Sequence, residues 1–215
     1  MTRPDAAPAR TATYHRYLDA AEQAFIQRGY EGASIRRISA EAQVPLGTLH
    51  HYWGTKQALF RDVCARRFDP IQDEQLRRLR ACAAGPVLAQ VVRALVEPPL
   101  QVGARPGAEA QTVRLLYGRA LTDPSPVVQA LVADLLREPS QLLLALVRRC
   151  CPQLDAARFY WRTSCALGAF IFAQSFGDRL AWIDGSVPPP PSPGQLADEI
   201  TAFIVHGMQG GPSLD

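Results

Sequence analysis

The polar side chains of residues 48–56 are of the types that meet a nucleic acid. Thr48, His50, His51 and Tyr52 crowd into five residues, and Lys56, the only lysine among 23 positive charges, follows closely. Hydroxyl, imidazole, phenol and ammonium groups donate hydrogen bonds to phosphate oxygens or base edges. Gly47 and Thr48 are small, so the backbone there can come close to a ligand. Three of the four histidines lie at or before position 51.

Other chemistry is poorly supplied. The five cysteines (Cys64, Cys82, Cys150, Cys151 and Cys165) form no CxxC pair, and histidine is scarce. No zinc site is expected, and the thiols read as small, reduced, buried side chains. Thiol-based redox sensing stays open as an alternative. The sequence has no Gly-rich phosphate loop, no metal-ligand cluster and no Ser-His-Asp arrangement. The chain therefore reads as a non-enzyme that needs no cofactor, and a helical enzyme is the remote alternative.

The elements that must position these groups are helical. Tyr14, Leu18, Ala21 and Phe25 recur every three to four residues, one helix face, and Gly29 is a natural stop. Ser34 is placed to cap a helix whose inner face is Ile35, Ile38 and Ala42. Pro45 opens a short helix over 46–52. Leu49 and Trp53, four apart, fall on its inward side. Thr55 is placed to cap a long helix from Lys56. Further helices are expected over 56–83, 87–97, 108–121, 126–150 with an interruption near Pro139, 155–182 and 194–208. Pro98-Pro99 separates two of them, and GSVPPPPSP (185–193) reads as an extended loop. There is no sustained strand alternation and no Asn-Gly or Asp-Gly hairpin turn. The fold class is all-α, about nine helices.

Composition sets the outer limits. The chain has 215 residues, is 47% hydrophobic and 20% charged, and carries a net charge of +3. It can build a core and is no histone-like polycation; net charge alone gives no sign of DNA. Seven basic and five acidic side chains fall within residues 1–56, and 16 and 15 within residues 61–215. The first sixteen residues lack an apolar stretch of signal-peptide length, and apolar runs such as Cys165–Ala173 fall far short of the ~18 residues a membrane span needs. The expected location is the cytoplasm, with no membrane partner.

Residues 42–60, AQVPLGTLHHYWGTKQALF, resemble the signature of the TetR family of bacterial transcriptional regulators, roughly A-G-V-S-x-G-T-L-Y-x-[HY]-F-x-[ST]-K-x-x-L. Upstream, AAEQAF (20–25) and GYEGASIRRI (29–38) are similar to the family's first and second helices. The similarity spans residues 13–60 without a gap. Gln43 stands at the usual turn glycine, Pro45 at a capping serine, His50 at a tyrosine and Trp53 at a phenylalanine.

The resemblance implies a helix-turn-helix DNA-binding domain over 1–60 and a ligand-binding and dimerisation domain over 61–215. It implies a homodimer on a palindromic operator, most often a repressor, released by a small effector. Ser34, Tyr52, Thr55 and Lys56 are then expected at the phosphate backbone, with Arg36, Arg37 and His50 as further phosphate candidates. Pro45, Leu46, Gly47, Thr48 and His51 belong to the DNA-reading surface, and Leu46, Thr48 and His51 are the candidates for base edges. Apolar segments of the second half point to a hydrophobic or amphipathic effector, with Leu116, Tyr117, Trp161, Cys165 and Phe172 as lining candidates. LLYGRA (115–120), FYWR (159–162) and ALG (166–168) loosely resemble family members that respond to lipid-like or aromatic compounds. Residues 164–173 are apolar all round, so they are expected to be buried on every side. Ala166, Ala169 and Ala173, with Ile200, Phe203 and Ile204 of the last helix, are the expected dimer surface.

Overall fold

The structure is a computed structural model and describes residues 12–104, 108–177, 183, 185 and 191–210. Its ten helices among the described residues are α1 (Ala12–Gly32), α2 (Ile35–Ala42), α3 (Gly47–Tyr52), α4 (Lys56–Cys82), α5 (Leu88–Gly103), α6 (Ala108–Thr122), α7 (Pro126–Leu135), α8 (Arg137–Cys150), α9 (Ala156–Phe176) and α10 (Pro193–Gln209). The described residues contain no strand. The end of the helix expected over 155–182, and most of the loop expected over 185–193, lie outside the described residues.

The spacing in α1 does what its period requires. Tyr14, Leu18, Ala21 and Phe25 are all buried, joined by Tyr17. Burying one such side chain contributes about 1.5–3 kcal/mol before entropy is counted. Gly29 breaks α1 with φ +69°. The positive φ disfavours a side chain there, and a Cβ would also push the Arg119 guanidinium, 2.6 Å away, aside.

α4 is 27 residues long, about 40 Å of helix, and joins the N-terminal helices to the rest. Its start carries the expected cap: Ala58 N–H donates to Thr55 Oγ1 at 3.1 Å. Its inner face, Leu59, Phe60, Val63, Phe68 and Leu79, runs through one continuous core. α10 packs along α5 and α9, and α9 also lies against α6.

One proline reading needs correction. α5 does not end before Pro98-Pro99 but runs through both to Gly103. Pro99 has no N–H for the Leu95 carbonyl one turn back. The buried Gln75 of α4 fills that gap, its Nε2 donating to Leu95 O at 2.7 Å. The interruption expected near Pro139 falls at Leu136, and Pro139 sits in the first turn of α8, where a missing donor costs little.

Candidate nucleic-acid interface

The α2–α3 turn is set by Gln43, which adopts the left-handed conformation (φ 54°, ψ 44°) that a glycine would take at less cost. Its N–H and that of Val44 close the turn onto Ala40 O and Ser39 O. Val44 then drops into the core, and Leu49 of α3 follows it. Anchored on Leu49, α3 turns His50 and His51 outward and leaves Thr48 and Tyr52 half-buried. Pro45 O accepts from Thr48 N–H at 3.0 Å and starts the helix.

An aromatic cluster holds α3 against α1. Trp53 stacks on Tyr14 with centroids 5.0 Å apart, and Tyr52 meets Tyr14 edge-on at 5.4 Å. Trp53 Nε1 donates to Asp62 at 2.8 Å, and the Tyr14 hydroxyl donates to the same carboxylate. Tyr17 and Ser39 share a buried hydrogen bond of 2.9 Å that fixes α2 to α1. Burial pushes the Tyr17 phenol up, so it stays neutral.

Pro45, Gly47, Thr48, His51 and Tyr52 border one open groove. Thr13, in the first turn of α1, borders it too and was missed by the sequence reading, although the resemblance begins at that residue. Leu46 is 41% exposed at the start of α3. Gly47 has nothing within 4 Å of where a Cβ would stand, so no packing inside the chain explains it.

The expected phosphate-facing residues differ in their surroundings. Ser34 sits at the α2 N-cap but its side chain makes no capping bond, contrary to the sequence expectation; its carbonyl accepts from Ile38 N–H at 2.9 Å. Arg36 and Arg37 are exposed and have no ion-pair partner among the described residues. Thr55 is exposed, its hydroxyl oxygen occupied by the α4 cap. Lys56 does not reach freely into solvent. Its Nζ lies 4.5 Å over the Tyr30 ring and donates to Glu31 O at 3.4 Å. Burial lowers its pKa, and the nearby Glu31 carboxylate works against that shift.

The five residues expected around an effector do not converge. Leu116 and Tyr117 are buried inside, with the Tyr117 hydroxyl bonded to Gln75 and its pKa pushed up to about 12 by burial. Trp161, Cys165 and Phe172 face outward on α9. Residues 164–173 of α9 are apolar all round, and within the protomer they are covered on one side only. The expected dimer surface divides the same way. Phe203 is 66% exposed, whereas Ile200 and Ile204 are buried in the protomer's own core. Ala166, Ala169 and Ala173 are half-buried, and Ala166 faces an apolar void with Val92 and Leu95.

A cavity of about 510 Å³ opens between α4, α5 and α6, lined by Arg66, Arg67, Pro70, Ile71, Glu74, Pro98, Gln101, Val102, Ala110 and Val113. None of these residues is among the five lining candidates of the sequence reading. Helix order brings them together over long separations, and no local spacing marks them.

A helix-turn-helix with an outward α3, carried on an all-helical body, defines a DNA-binding regulator. Residues 18–63 match the family model for bacterial regulatory proteins of the tetR family, and residues 93–207 match that for the tetracyclin repressor-like C-terminal domain. The chain belongs to the TetR family of transcriptional regulators and is not an enzyme. It is 29% identical over 159 residues to the HTH-type transcriptional repressor KstR of Rhodococcus jostii, covering 62% of this chain and 73% of KstR. To the repressor DhaR of Mycobacterium sp. it is 29% identical over 79 residues, 37% of this chain and 40% of DhaR. Among solved structures, a fatty acid degradation regulator FadR from Bacillus halodurans superposes with TM-score 0.62 at 15% identity, covering 90% of this chain and 98% of that one. AibR, solved with isovaleryl coenzyme A and operator DNA, superposes with TM-score 0.59 at 16% identity over 89% and 97% of the two chains.

Proposed function

We propose that this protein is a homodimeric repressor that reads an inverted-repeat operator through α3 and is released by a small amphipathic effector. The observation that carries the DNA reading is Gly47, a bare backbone at the start of an outward helix with nothing of its own chain to pack against. Thr48 and His51 flank it and supply base-edge contacts. Ser34, Arg36, Arg37, His50, Tyr52, Thr55 and Lys56 supply the phosphate contacts, which fix register without reading sequence. Residues 1–60 form the reading part and 61–215 the responding part, with α4 continuous between them.

One short recognition helix reads few base pairs, so specific binding needs a symmetric pair. The outward face of α9 supports that pairing. Tyr160, Ser164, Gly168 and Phe172 follow one another at four-residue steps, with Trp161, Cys165 and Leu167 beside them, and Phe203 of α10 adds to the patch. The small Ser164, Cys165 and Gly168 let a second helix approach between aromatic flanks. Exposed apolar area of this kind marks an interface. Neighbours solved with isovaleryl and stearoyl coenzyme A support an amphipathic effector class.

The test is binding to DNA upstream of the protein's own gene across a salt series. Lys56→Ala should weaken binding to all sequences alike and reduce the slope of log K against log salt by about one. An unchanged slope would remove Lys56 from the phosphate contacts.

A further inference from the structure

The cavity between α4, α5 and α6 shares its two arginines with the DNA-reading part. Glu22 of α1 is 3% exposed and lies 44–45 residues before its partners. Arg67 grips it with both Nε (2.6 Å) and Nη2 (2.9 Å), and Arg66 Nη2 adds a third bond at 2.9 Å. Arg66 Nη1 also reaches Asp19 of α1 at 2.7 Å. Through these ion pairs the two arginines tie α1 to α4, and both line the cavity.

The arrangement is unevenly satisfied. Asp19 is 65% exposed at its side chain, so its bond to Arg66 is weak and easily given up. Arg66 Nε–H is buried with no acceptor among the described residues. Such a donor costs free energy that an incoming oxygen would recover. Glu74 also stands on the cavity wall, but Arg77 and Arg78 hold its carboxyl down at about 2, so its charge is already answered. Gln101 adds one more polar group, its Nε2 donating to Glu97 at 2.9 Å, and the remaining wall is apolar: Pro70, Ile71, Pro98, Val102, Ala110 and Val113.

We propose that the effector is an aliphatic carboxylate or similar anionic amphipath whose head competes with Asp19 and Glu22 for Arg66 and Arg67. The tail packs on the apolar wall. The head takes the unfilled Arg66 donor and Asp19's place, and Glu22 loses part of its grip on α4. A buried carboxylate deprived of a partner is strongly destabilised, so α1 shifts relative to α4 and the reading helices change their spacing. This rests on the ligand-responsive reading above and adds the effector's charge and the residues that carry its message.

The probes are decanoate and methyl decanoate, measured by calorimetry for binding and by operator anisotropy for release. Decanoate should bind about tenfold or more tighter than the ester and weaken operator binding by a like factor. Glu22→Gln should bind decanoate more tightly than wild type while its operator affinity no longer responds. Asp19→Asn, at an exposed position that spares the fold, should shift both quantities the same way by a few-fold. Equal binding of acid and ester, no binding of either, or unchanged responses in both variants would overturn the exchange. Wild-type operator binding without probe is measured in the same titration. Its absence counts against the repressor reading, whereas intact binding that ignores decanoate overturns the exchange alone.

Discussion

α3 and α9 both turn an unpartnered face outward, and the two faces are opposites. That of α3 is short and polar, with His50 and His51 exposed around a glycine backbone. That of α9 is long and aromatic, with Tyr160 63% and Trp161 66% exposed. An exposed polar helix suits a hydrated, charged groove, while an exposed aromatic one suits a second copy of itself. Exposure alone therefore does not identify a partner; the chemistry of the exposed face does.

The largest effect should come from charging the α9 face. Leu167→Arg or Trp161→Glu should weaken dimerisation by 100-fold or more, since buried unpaired charge at an interface core costs several kcal/mol. Sedimentation reads this directly, and operator binding should fall with it. A variant that stays dimeric would place the interface elsewhere.

Two glycines separate the helices next. A Cβ at Gly118 would stand 2.5 Å from Ser175 of α9, so Gly118→Ala should cost about 1–3 kcal/mol of stability in thermal melts. Gly47→Ala meets nothing and should leave the melting temperature unchanged or slightly raised. Its operator affinity should nevertheless fall about tenfold. If both alanines behaved alike, the distinction between packing glycine and reading glycine would fail.

The smallest effect concerns the turn. Gln43→Gly relieves a left-handed side chain but adds unfolded-state freedom, for a net gain of about 0.5 kcal/mol. Denaturant unfolding would show it, and a loss would mean that the Gln43 side chain contributes something the turn geometry does not.

Much of the reading half was legible because its information is local. The Tyr14 to Phe25 spacing, the Thr55 cap and the motif around Thr48 each lie within a few residues. The Ser34 cap failed because a residue type at a position permits a hydrogen bond without forming one. The body of the chain was less legible because its decisive contacts are distant. α5 survives Pro98-Pro99 through Gln75, 20 residues before Leu95. Periodicity could not tell which side of residues 164–173 is covered, since that stretch is apolar all round. That misplaced Trp161, Cys165 and Phe172 into a pocket and Ile200 and Ile204 onto a surface. The Glu22 link to Arg66 and Arg67 joins side chains no local pattern connects.

Selection of binding sites from a pool of random duplexes tests the central claim most directly. The wild-type protein should enrich an inverted repeat, bound by two chains. Thr48→Ala and His51→Ala should each relax preference at the same position in both half-sites. Enrichment of the wild-type sequence by a triple Thr48→Ala, His51→Ala, Tyr52→Ala variant, or enrichment of no repeat at all by the wild type, would contradict the claim that α3 reads DNA as a pair.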